Sequence, residues 1–64
     1  MFIVIEIQTT DTTAAIATAY ADENIANQAY HTALAAAAVS SVRIHTVDLL
    51  NAYGDVIKSE SYTH

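Results

Sequence analysis

The chain contains no cysteine, no proline and no tryptophan, only one glycine, and only two Lys+Arg residues among 64. Without cysteine there are no disulfides, thiolate metal sites or cysteine nucleophiles. Without proline, polyproline II and collagen-like readings fall away, and one glycine leaves no Gly-rich linker or phosphate loop. Two cations against seven Asp+Glu give a net charge of −5, which argues against a basic nucleic-acid surface. No apolar run approaches the ~18 residues of a membrane span, and the start carries no basic n-region of a signal peptide. Hydrophobic residues make up 53% of the chain, too many for a disordered segment. Sixty-four residues make one domain, residues 1–64, and a chain of this size buries only about 60% of its unfolded surface. Domains this small commonly gain stability from a metal, disulfides or a second subunit, so a homo-oligomer is expected.

Residues 1–8 hold Ile3, Val4, Ile5 and Ile7, a β-branched run that predicts a central strand. The polar stretch 9–13 predicts a turn. From Ala14 to Tyr20, Ile16, Thr18 and Tyr20 alternate with alanines, the period of a second strand; the alternative is a helix covering one face of the sheet. Asp22 is suited to cap a helix that runs to about Val39, with Ala26, Ala29, Tyr30, Ala33, Leu34, Ala37 and Ala38 at helical spacing. Ser40 and Ser41 end it without a glycine cap, which predicts a frayed or solvated terminus. Residues 42–50 and 56–62 read as a hairpin around Asn51–Asp55, with Gly54 in the left-handed conformation. The expected fold is α+β: ββαββ, an antiparallel-rich four-stranded sheet with one alanine-rich helix on one face.

Pairing Asn51 with Asp55 sets Asp48 opposite Lys58, Thr46 opposite Glu60 and Ile44 opposite Tyr62. The helix is then expected over Ile3, Ile5, Ile7, the alanines of the second strand, Val47, Leu49, Ile57, Ser59 and Ser61. The opposite face would carry Phe2, Val4, Glu6, Gln8, Ile16, Thr18, Tyr20, Val42, Ile44, Thr46, Glu60 and Tyr62. One helix does not roof both sides of such a sheet. Phe2, Val4, Ile16, Thr18, Val42, Ile44 and Tyr62 are therefore the expected oligomer interface.

No catalytic motif appears, and a 64-residue chain has little room for a water-excluding cleft, so a non-enzymatic role is expected. His31, His45 and His64 lack metal-ligand spacing; no metal and no cofactor is expected, and His64, at the sequence's end, is expected to be mobile. Glu6 and Gln8 interrupt an isoleucine-rich strand and are the first choice for a site, set against plain strand-end polarity. Arg43 and Lys58 are the only cations; a pairing of Lys58 with Asp48 and surface solubility account for them without a ligand.

The pieces Ile5-Glu6-Ile7-Gln8-Thr9, Thr18-Ala19-Tyr20, the run from Tyr30 to Ser40 beginning Tyr-His-Thr-Ala-Leu, and the ending Lys58-Ser59-Glu60-Ser61-Tyr62-Thr63-His64 span nearly the whole chain. Together they resemble a group of very short, mostly uncharacterised proteins encoded by phages of gut bacteria. The resemblance implies an accessory or counter-defence role in the host cytoplasm, with no catalytic residues to carry over. The leading expectation is an oligomer that sequesters a small nucleotide-derived signal in intersubunit pockets, acting on no nucleic acid or membrane directly. Its ligand would meet Glu6, Gln8, Tyr20, Tyr30, His31, Arg43, Thr46 and Tyr62. The alternatives are an acidic inhibitor of a host defence protein, using Asp11, Asp22, Glu23, Asp48, Asp55 and Glu60, or a virion or assembly accessory protein.

Overall fold

A computed structural model describes all 64 residues. The element order is β1 (Phe2–Thr9), β2 (Thr13–Tyr20), α1 (Glu23–Ala38), β3 (Ile44–Asn51) and β4 (Val56–Thr63). All pairings are antiparallel, and the strands lie side by side in the order β2-β1-β3-β4. The α+β, ββαββ architecture expected from the residues is therefore the one observed, with β1 and β3 central. No helix is long and apolar enough to cross a membrane.

Local chemistry fixes each boundary. Asp22 caps α1, its side chain accepting from the Asn24 backbone N–H at 2.9 Å, which satisfies one of the helix's free donors. The β3–β4 turn is held by Asn51, whose Oδ1 accepts from the N–H groups of Tyr53 and Asp55 at 2.9 and 3.0 Å. Gly54 sits at φ +86°, a conformation that glycine adopts without penalty. At the C-terminal end of α1, expected to be frayed or solvated, Ala38 and Val39 are exposed and the Ala37 carbonyl is hydrogen-bonded. His64 Nε2–H donates to the Ala37 carbonyl at 2.9 Å, its ring stacks on Tyr62, and its backbone N–H donates to Arg43 at 2.7 Å.

Two features of the sheet correct the expected face assignment. First, a bulge at Leu49/Leu50 leaves Ile57 outside the ladder, so the register slips by one beyond the turn. Asp48 faces Ser59 rather than Lys58, and Thr46 faces Ser61 rather than Glu60. Ile44 faces Thr63 rather than Tyr62. A one-residue slip moves every β4 side chain to the other face. Lys58 therefore lies on the helix side, donating to Asn27 Oδ1 at 2.9 Å with its ammonium 5.9 Å from the centre of the Tyr30 ring.

Second, β1 meets β3 with Val4 opposite Leu49 and Glu6 opposite Val47. The helix thus lies over Phe2, Val4, Glu6 and Gln8, together with Val47 and Leu49, and not over the isoleucines. The core consists of Val4, Ala26, Tyr30, Ala37, Val47 and Leu49, with Phe2, Tyr20, Leu34 and Tyr62 packed around it. There is a physical reason for that choice. An alanine-rich helix contributes little side-chain volume, and the aromatic rings of Phe2, Tyr20 and Tyr62, all on this side of the sheet, fill the layer beneath it. Phe2, Val4 and Tyr62, expected at an oligomer interface, are spent on that packing. Ile16 and Thr18 lie on the helix side of β2 and stay exposed, because the helix sits chiefly over β3 and β1. Val42 precedes β3 and is half-buried, and Ile44 alone of that set points to the uncovered face.

Candidate binding site

Because α1 lies over β1 and β3, it leaves a trough between its own flank and the β1–β2 hairpin. The helix side of this trough is the stripe Ile25, Gln28, Ala29, Thr32, Ala33 and Ala36, the i, i+3, i+4 spacing that sets residues on one face. The sheet supplies Glu6 from β1 and Tyr20 from the end of β2. The groove holds about 410 Å³, within the range of small-molecule sites. Its walls are mainly apolar, and its one ionisable acid is Glu6.

Glu6 stands at the groove's inner margin with its side chain about one quarter exposed. Behind it, Glu6 Oε1 is 4.0 Å from His45 Nε2. His45 is only 4% exposed, and neither ring nitrogen has a hydrogen-bond partner. Unpartnered buried polar groups are uncommon and costly. Strand alternation explains its place, since His45, Val47 and Leu49 all point beneath the helix.

Of the eight residues expected to meet a ligand, two converge on the groove, Glu6 and Tyr20. Gln8 shares the face of Glu6 but lies further along β1, opposite His45. Tyr30 is 3% exposed and belongs to the core. Burial, then the charges of Glu60 and Asp48 and the neighbouring Tyr62, raise its phenol above the ordinary 10.0. His31 is exposed on the helix, its ring 5.3 Å edge-on from Tyr30. Arg43 is exposed before β3. Thr46 lies on the far face, hydrogen-bonded to Ser61 at 3.0 Å, and Tyr62 packs on the core from β4. No single pocket gathers these six with Glu6.

Sequence reasoning missed Ile25, Gln28, Thr32 and His45. The helical stripe through 25, 28, 29, 32, 33 and 36 carried the signal for the first three. Strand alternation carried it for His45. Compared with protein-family models, curated proteins and solved structures, the chain matches none.

Proposed function

We propose that this chain is a non-enzymatic phage accessory protein, a counter-defence protein of the host cytoplasm that sequesters a small nucleotide-derived signal. The observation that carries the reading is the groove in which Glu6 and Tyr20 meet. In place of a pocket between subunits, the binding volume lies within one chain. A carboxylate accepts from both hydroxyls of a ribose diol, as acidic residues do in dinucleotide sites. The Tyr20 ring offers a stacking surface for a base, and Gln28 and Thr32 offer donors and acceptors along the helix wall.

The electrostatics select which end of the ligand enters. No Lys or Arg lines the groove, and its one carboxylate repels phosphate. The nucleoside end therefore binds, and any phosphates stay in solvent. The inhibitor reading draws less support, because the acidic residues are dispersed. Asp11 lies in the β1–β2 turn, Asp22 and Glu23 open the helix, Asp48 is on the far face, and Asp55 is in the β3–β4 turn. They form no continuous stripe to replace a phosphate backbone.

Calorimetry with adenosine, 2′-deoxyadenosine, ADP-ribose and a cyclic dinucleotide tests the proposal. The expected result is binding of adenosine and ADP-ribose, a weaker 2′-deoxy compound, and at least tenfold loss in Glu6→Gln. No heat with any of the four, or affinities unchanged by Glu6→Gln, overturns it.

A further inference from the structure

The helix covers one side of the sheet and leaves the other bare. On the bare side β1 presents Ile3, Ile5 and Ile7, and β2 places Ala19, Ala17 and Ala15 directly beside them. A row of large side chains thus runs along a ledge of small ones. β3 adds Leu50 at one end and Ile44 at the other. In the β1–β2 half the polar groups of this side are Thr9 and Thr13, at one end and hydrogen-bonded to each other at 3.3 Å; the others lie on β3 and β4. Asp48 accepts from Ser59, and Thr46 bonds Ser61.

We infer that two copies of this chain pack face to face through the bare side of the sheet, Ile3, Ile5 and Ile7 of each seated over Ala15, Ala17 and Ala19 of the other. A two-fold axis running along the strands between β1 and β2 brings each isoleucine row over the partner's alanine ledge. It is an isologous contact in which the surface complements itself. The inference does not depend on what the groove binds.

Three observations select a second copy over another partner. Relief comes first, since ridge and ledge lie side by side on the same chain. Charge is the second. At −5, copies repel one another, yet the β1 and β2 strip itself carries no charged residue on this side; Asp48, beside Ile5 on β3, stands at its rim and accepts from Ser59. A partner recognised by charge would find nothing there to pair with. Need is the third. Only seven of 64 residues are buried in the single chain, a small core for a fold without disulfides or metal. A second copy is the one partner always present when the chain folds. Two strands of eight residues at ~4.8 Å spacing give a contact strip of roughly 250 Å² per copy. About 500 Å² in total is well below a standard specific interface, so the dimer is a weak, readily dissociable one.

Sedimentation velocity from about 5 to 500 μM tests this on the full chain, with circular dichroism to establish folding. Wild type is expected to move from the 6.9 kDa chain toward twice that mass as concentration rises. Ile5→Glu, a charge in the middle of the row, is expected to weaken dimerisation at least a hundredfold. Ile5→Thr keeps a β-branched residue for strand formation and is expected to weaken it about tenfold, which preserves the test if the glutamate variant unfolds. Ile16→Glu, on the other side of the same strand pair, is expected to leave dimerisation within twofold. A wild type that stays monomeric at 500 μM overturns the inference. So does a dimer that folded Ile5→Thr leaves intact, or one that Ile16→Glu abolishes.

Discussion

Replacing His45 by leucine should stabilise the protein. The imidazole is 4% exposed beneath the helix, flanked on the ladder by Gln8 and Tyr62, and both ring nitrogens lack partners. Glu6 Oε1 at 4.0 Å is too distant for a hydrogen bond. Leaving a buried polar group unsatisfied costs about 1–3 kcal/mol, and leucine has nearly the volume of histidine, so little cavity opens. The expected gain is of that size. At ~4–8 °C per kcal/mol for a domain this small, Tm should rise by roughly 5–20 °C. Thermal and urea unfolding followed by circular dichroism measure it, at one fixed concentration, because self-association shifts apparent stability. Because the ring makes no hydrogen bond to the Glu6 carboxylate, adenosine affinity should be unchanged while stability rises. A loss of 1 kcal/mol or more would refute the reasoning, by showing that the imidazole holds Glu6 in place as part of the fold.

Three further outcomes follow from the core and the turn. Tyr30 has a phenol raised above its ordinary value, so the folded state keeps that proton longer than the unfolded chain. Its contribution is complete below pH ~10 and is lost as pH rises through the folded-state value. Tyr30→Phe should flatten stability against pH in that window, and urea titrations at pH 9 to 11 on both proteins measure the difference. An equal slope in the two removes Tyr30 as the cause. Leu49→Ala deletes one of the two largest fully buried side chains and should cost about 2–5 kcal/mol, enough to unfold much of so small a domain; urea unfolding that shows less than 1 kcal/mol would place Leu49 outside the core. At Gly54 an added methyl meets nothing within 4 Å, so Gly54→Ala isolates the backbone penalty of a positive φ, about 1–2 kcal/mol. No loss in a urea midpoint would mean that the turn relaxes to another conformation.

The elements were legible because their signals are local. The β-branched run of β1, the Asp22 cap and the Asn51–Asp55 turn each act within a few residues. The alternation of Ile16, Thr18 and Tyr20 correctly marks β2 despite its alanines. What covers what was not legible. The side of the sheet that meets the helix depends on the β1–β3 register, which joins residues far apart in the chain, from Phe2 with Asn51 to Thr9 with Ile44, and on a bulge at Ile57 that the turn residues around Gly54 do not announce. Val47 and Leu49 lie under the helix as expected, but β1, β2 and β4 are reversed against them, which puts Val4 in the core with Phe2 and Tyr62 packed on it and leaves the isoleucines of β1 on the other side. The site was legible in part for the same reason. A carboxylate in an isoleucine strand marks Glu6 from sequence alone, but its neighbours come from the helix flank that the register brings alongside it.

Nitrogen-15 NMR of the labelled protein during titration with adenosine measures the groove most directly. The account predicts amide shifts concentrated at Glu6, Tyr20, Gln28 and Thr32, saturating together. Shifts centred instead on Arg43, Lys58 or Thr46, or a spectrum that adenosine leaves unchanged at millimolar concentration, would contradict it.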